Sequence, residues 1–252
     1  MAIIAIEGLD GAGKATVSNL LKEKLQELNP DTEVEVISFP DYTSSSGRLI
    51  KKFLSGEIIQ DNWFVSDIER RNFISWLFII NRYEYFKNNP LDVENKTYIF
   101  DRYGGSNILY QCHGLSLDEI NNYIDFIYNM EFISYKNPKP DFTFLLRVPY
   151  SKLRERLDAR KEVKAGIEKD KFEIDSFLKI SYHLLESIAF AKDMININKF
   201  IDYIINCNSI IENFETGERS IINDTPESVV DLMLEIINKK DTTQADDISE
   251  KE

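Results

Sequence analysis

The stretch that decides the fold is Ala2-Ile3-Ile4-Ala5-Ile6-Glu7, followed at once by Gly8-Leu9-Asp10-Gly11-Ala12-Gly13-Lys14. The first six residues predict a short β-strand, and Lys14–Glu27 predicts a helix. Between them the spacing is GxxxxGK, in the strand–loop–helix setting that a phosphate-binding loop requires. Glycines let consecutive backbone N–H groups converge on a phosphate, and the helix N-terminus adds its positive dipole end. Gly8, Asp10, Gly11, Ala12 and Gly13 would wrap the phosphates, with Ala15 and Thr16 opening the helix behind them. Lys14 would reach the β- and γ-phosphates. One position departs from the pattern. The residue after Lys14 is Ala15, where a P-loop carries a Ser or Thr whose hydroxyl binds Mg²⁺. Thr16 offers the next hydroxyl, about 100° further round the helix. Because Mg²⁺ retains several waters, a water in place of the hydroxyl predicts weakened or rearranged metal binding, with nucleotide binding kept.

Outward from this loop, Glu33–Phe39, Thr97–Asp101, Phe142–Val148 and Ile201–Asn206 also read as strands. Asp67–Lys87, Leu117–Tyr128, Ser151–Arg160 and Asp170–Lys192 read as helices. Such alternation predicts an α/β protein with a parallel sheet covered on both faces. Ser66-x-x-Glu69 and Ser116-x-x-Glu119 have capping-box spacing, and Thr225-Pro226 sets a proline at a first helical position. Residues 1–238 are expected to form one domain. The polar stretch 239–252 lacks periodicity and is expected to be a frayed, disordered tail.

The 252 residues carry 30 Lys+Arg against 43 Asp+Glu, a formal charge of −13 that opposes binding to a nucleic acid polymer. A hydrophobic content of 43% is too high for a mainly disordered chain. Cys112 and Cys207 lie far apart, and with His113 and His183 they offer no metal-ligand spacing. A reduced, cytoplasmic protein is expected. The N-terminus has no basic flank of a signal peptide, and no apolar run approaches the ~20 residues of a membrane span.

Three further segments follow the loop in order: Phe39-Pro40-Asp41-Tyr42, Phe78-Ile79-Ile80-Asn81-Arg82, and Asp101-Arg102-Tyr103-Gly104-Gly105-Ser106-Asn107. Together the four resemble the thymidylate kinase family, P-loop enzymes that move the γ-phosphoryl of ATP onto dTMP. The likeness runs to about Tyr182 and resumes near Ile204–Asn238. The expected architecture is therefore a three-layer P-loop NTPase fold: a parallel, five-stranded sheet, helices on both faces and a helical lid. Phe78 and Arg82, four apart, share a helix face, and could stack on a base and bond its edge or the nearby phosphate. The apolar neighbours Trp76, Leu77, Ile79 and Ile80 also suit Phe78 to the core. Asp101, at the end of a strand, would hold Mg²⁺ through water, and Arg102 would clamp the acceptor phosphate. The resemblance further implies that Asn107 pairs with the thymine edge, Tyr110 blocks a ribose 2′-OH, Asp10 faces the 3′-OH, and Tyr42 lies by the phosphate or sugar. It also implies a homodimer. The family often has an arginine in or beside the Phe39–Tyr42 segment; this chain has none, so the acceptor phosphate would rest on Arg82 and Arg102.

Residues 151–171 hold eight Lys or Arg against five acids, a net +3 within the −13 chain. Asp170-Lys171-Phe172-Glu173 resembles the DRxE that follows the thymidylate kinase lid. Gly11 and Ala12 stand where some relatives carry a P-loop arginine, so a lid cation would act in catalysis, Arg160 first and Arg156 behind it. Two other readings stay open: a deoxynucleoside kinase with Asp41 as base, and a nucleotide-binding relative with turnover weakened by Ala15.

Overall fold

In the computed structural model, Ile3–Gly8 (β1) is buried at every position and forms the middle of the sheet. The structure describes residues 1–58, 63–163, 175–212, 219–223 and 225–249. β1 is flanked by Lys96–Asp101 (β3) and Phe142–Arg147 (β4), with Glu33–Ser38 (β2) and Tyr203–Asn206 (β5) outside them. The order is β2-β3-β1-β4-β5, and every pairing is parallel. Such a sheet needs helices on both faces, which is why β1 opens as an unbroken apolar run, Ile3-Ile4-Ala5-Ile6. Ile4 and Ile6 join the cluster containing Leu21, Val230 and Met233, whereas Ile3 and Ala5 join Phe39, Phe100 and Tyr103 in another. Crossing from β3 over β1 to β4 makes a topological switch at the carboxyl ends of these strands, where α/β folds build their ligand crevices.

The helices are Lys14–Leu28 (α1), Ser45–Leu54 (α2), Asp67–Asn88 (α3), Gly104–Gln111 (α4), Leu117–Tyr128 (α5), Tyr150–Val163 (α6), Asp175–Phe190 (α7) and Pro226–Ser249 (α8). The Ser116–Glu119 capping box forms in full. At Ser66 the side chain caps Glu69 N, but Glu69 Oε2 accepts from Val65 N (2.8 Å) instead of closing the box. Two helices were not expected from the sequence. α2 is announced only by Ser44, whose Oγ accepts from Gly47 N (3.1 Å), and α4 begins Gly-Gly, a poor helix start that burial of Gly104, Gly105, Asn107 and Ile108 overrides. A π-helical turn, Asn129–Ser134, continues α5.

The expected tail is corrected: α8 runs to Ser249, through most of 239–252. Nothing after Pro226 breaks a helix, since the stretch has no further Pro and no Gly. Ser209–Glu212 (β6) and Arg219–Ile222 (β7) form an antiparallel pair between β5 and α8, a feature the sequence reading did not contain. Of the stretch 151–171 expected as a lid, α6 covers the part to Val163; 164–174, with the Asp170–Glu173 element, lie outside the described residues. Among the described residues, no helix is long and apolar enough to cross a membrane.

The turn after β2 is fixed from two sides. Asn81 of α3 accepts from Asp41 N (2.8 Å) and donates to Asp41 O (3.0 Å). Gly47 of α2 lies so close that a Cβ there would meet Asp41 O at 1.8 Å. Gly47→Ala should therefore destabilise the fold by about 1–3 kcal/mol through overpacking, read as a lowered midpoint in thermal unfolding.

Candidate active site

The loop after β1 takes the conformation its glycines allow, with φ 85° at Gly11 and 91° at Gly13. Lys14 is 6% exposed, and its Nζ donates to the carbonyls of Gly8 and Leu9, both at 2.9 Å. Burial, helped by the neighbouring Arg102 charge, lowers its pKa to about 8. Pairing of Ile6 with Asp101 brings the end of β3 beside the loop. Asp101 Oδ1 is buried there with no hydrogen-bond partner among the described residues. From α6, Arg156 Nη1 donates to Gly11 O (3.3 Å) and Ala12 O (3.2 Å). Arg160 follows one turn later, exposed. Gly11, Gly13, Lys14, Ala15, Thr16, Asp101, Arg156 and Arg160 line one cleft of about 360 Å³.

A second cleft, of about 190 Å³, opens on the other side of Asp10 and Arg102, which line both. Arg102 has a left-handed backbone, φ 70°, an uncommon state for a non-glycine that is found at sites where surrounding structure imposes it. Its Nη2 pairs with Asp10 Oδ1, and Nη1 donates to the Tyr110 hydroxyl (3.4 Å). That hydroxyl donates to Asp10 Oδ2 (3.0 Å) and accepts from Asp10 N (3.1 Å). Burial would raise the Asp10 pKa, but Arg102 and Lys14 outweigh it and hold the carboxylate below its usual range.

The second cleft carries Tyr42, Phe78, Arg82, Asn107 and Tyr110. Asn107 Nδ2 is buried with no hydrogen-bond partner among the described residues, a donor suited to a carbonyl. Phe78 packs on the Ile74–Leu77 cluster and also lines the cleft. Arg82 is 2% exposed and is already engaged: Nε donates to Glu131 Oε1 (2.8 Å) and Nη2 to Oε2 (2.5 Å). Its charge is thus met by Glu131 inside the wall, while the side chain still lines the cleft. Asp41 does not line the cleft; its Oδ1 accepts from Thr43 N (2.9 Å) and Thr43 Oγ1 (2.6 Å), closing its own turn.

Two buried carboxylates were missed. Glu7 Oε1 accepts from Tyr103 N (2.9 Å) and Oε2 from Ser106 Oγ (2.6 Å), tying β1 to the start of α4. Burial raises its pKa in spite of these bonds. Its signal was present, a carboxylate closing an apolar strand. Glu131, held by Asn137 Nδ2 (2.7 Å), lies in the π-helical turn 49 residues from Arg82 and had none.

A family model described as Thymidylate kinase matches residues 6–203. The chain belongs to the thymidylate kinase family. It is similar to the thymidylate kinase of Plasmodium falciparum, 30% identical over 67% of this chain and 71% of the relative. A probable thymidylate kinase of Pyrobaculum aerophilum is 33% identical over 71% and 78%. The fold resembles a thymidylate kinase structure from Candida albicans, TM-score 0.59 at 23% identity, covering 95% of this chain and 92% of that one. Within this thymidylate kinase fold, the phosphate loop and the Asp101–Asn107 segment meet across β1 and β3, as the register requires.

Removing Glu131 would leave the Arg82 charge buried and unpaired. Glu131→Ala should cost roughly 3–5 kcal/mol, read as a lowered denaturant midpoint. Lys14 gives a pH signature. It is charged below its pKa of about 8, and a bound triphosphate favours the proton, so affinity is retained below that pKa and falls above it. Calorimetric titration of ATP from about pH 7.5 to 9.5 should record this decline, and a weaker but flat profile for Lys14→Met.

Proposed function

We propose that this chain phosphorylates dTMP to dTDP with ATP by a single in-line displacement, and that the meeting of two clefts at Asp10 and Arg102 is the point of transfer. That shared boundary carries the reading, because donor and acceptor phosphates must approach each other there without water between them. ATP lies with its phosphates along Gly11–Thr16. Lys14 exchanges the Gly8 and Leu9 carbonyls for phosphate oxygens. Arg160, with no partner among the described residues, is the cation free to neutralise charge on the transferring group, while Arg156 braces the loop. On the acceptor side the thymine stacks on Phe78, Asn107 Nδ2 donates to a thymine carbonyl, and Arg82 Nη1 reaches the base edge. Tyr110 occupies the 2′ side, Asp10 meets the 3′-OH and Tyr42 covers the sugar. Arg102 holds the acceptor phosphate.

No general base is required. A phosphate monoester has a second pKa of about 6 and is already ionised at neutral pH. With Asp41 turned into its own loop, the nucleoside kinase reading loses its base. Mg²⁺ fits the donor cleft: the unpartnered Asp101 Oδ1 supplies an oxygen, directly or through water, and phosphate oxygens with waters supply the rest. When bound it would neutralise phosphate charge. A homodimer is what family membership supports. The buried free thiols of Cys112 and Cys207 suit a reducing cytoplasm.

A coupled ADP-release assay over dTMP, dUMP, dGMP, dCMP and thymidine tests the activity. Turnover with dTMP is expected; turnover with thymidine alone would overturn it, as would ATP binding with no ADP formed. Arg102→Ala should lose about tenfold or more in kcat/KM, ~1.4 kcal/mol of transition-state stabilisation.

A further inference from the structure

Glu7, 0% exposed, is the one acidic residue of β1 and stands immediately before the phosphate loop. Taking a carboxylate out of water costs several kcal/mol unless hydrogen bonds or an opposite charge answer it. Here the answer comes from the chain that follows β3. Tyr103 N and Ser106 Oγ donate to Glu7, and the Arg102 charge acts in the same direction. Glu7 itself lines neither the phosphate-loop cleft nor the acceptor cleft. Its contribution to the site lies in what it holds.

Two consecutive N–H groups of that chain are taken by β1. Arg102 N donates to Ile6 O (3.0 Å) and Tyr103 N to Glu7 Oε1 (2.9 Å). In an extended strand successive N–H groups point to opposite neighbours, so a straight continuation of β3 would offer β1 only one of them. The chain must turn between the two, and it does so at Arg102, φ 70°. Further on, Gly105 sits against the same carboxylate: a Cβ there would meet Glu7 Oε1 at 2.9 Å and Cδ at 3.1 Å. The start of α4, the helix that carries Asn107 and Tyr110, is thus seated on Glu7 as well.

We propose that Glu7 is a positioning residue for the phosphate acceptor. By bonding Tyr103 N and Ser106 Oγ it fixes the turn that aims Arg102 at the acceptor cleft, and the start of the helix that presents Asn107 and Tyr110 there. The inference rests on the kinase reading and deepens it on the acceptor side. What matters is reach, since one side chain must meet two donors at once. A glutamine keeps that reach, its Oε1 accepting from Tyr103 N and its Nε2 donating to Ser106 Oγ. An aspartate keeps the charge but is one methylene too short to meet both.

The test measures calorimetric affinities for dTMP and for ATP, with the KM of each, in Glu7→Gln, Glu7→Asp and Gly105→Ala. Glu7→Asp should weaken dTMP about tenfold or more and leave ATP within about twofold. Glu7→Gln should stay within about threefold of wild type for both ligands. Gly105→Ala presses on the carboxylate from the α4 side and should weaken dTMP as Glu7→Asp does. A merely structural role would lower the folded fraction, and with it the binding stoichiometry for both ligands, leaving the two dissociation constants unchanged. Unchanged dTMP affinity in folded Glu7→Asp would therefore overturn the proposal, as would a Glu7→Gln variant that loses dTMP as badly as Glu7→Asp. If Glu7→Asp fails to fold, Gly105→Ala decides by the same measure. Wild-type binding of dTMP without turnover would overturn the kinase reading alone, and the affinities would still judge Glu7. No binding of dTMP to the wild-type chain would overturn both.

Discussion

Taking a guanidinium out of water costs several kcal/mol unless a carboxylate in good geometry answers it, and this domain does so twice within one cleft. The two pairs differ in kind. Arg82 and Glu131 have side chains 3% and 0% exposed, with Asn137 and the Tyr103 ring closing the remaining sides. Such a pair is a fixed part of the wall. Arg102 and Asp10 are 23% and 16% exposed and stand at the junction of the two clefts. Their pairing satisfies both charges, yet each stays partly open to the clefts. Lys14 follows the same logic with backbone carbonyls. The cations of the two clefts are thus held by protein acceptors in an already desolvated setting.

The acidity of the chain takes on meaning beside this arrangement. A net −13 repels polyanions at long range, but the field at one crevice is set by the charges that line it. Lys14, Arg156 and Arg160 surround the loop, against Asp10 and Asp101. A small phosphate ester meets that local field once it is within a Debye length, about 8–10 Å at ordinary ionic strength.

How much could be read without coordinates depended on whether the deciding force was local. Strand β1, the glycine loop and α1 form one continuous local signal, and the family resemblance placed Phe78, Arg82, Asp101, Arg102, Asn107 and Tyr110 at the clefts where they are found. Ser116–Glu119 and Pro226 marked helix starts through chemistry confined to one turn. What escaped was decided by tertiary contact. α4 starts on two glycines and is helical because Glu7 and the core leave its backbone no other place. The partner of Arg82 comes from an irregular π-helical turn, invisible to any period. The β6–β7 pair is short, and its Asn-rich flanks look like loop. The end of α8 was misjudged from polarity, which marks a lack of packing and not a lack of helix.

Arg102 combines a guanidinium at the junction of the two clefts with a left-handed backbone, and the two make opposite demands. Holding a branched-free but bulky side chain at φ 70° costs on the order of 1–3 kcal/mol, most of which a glycine would recover. That gain would be offset by the Asp10 carboxylate left without its guanidinium. Position 102 is therefore where backbone strain is held in place by an ion pair, and a change that relaxes the one gives up the other.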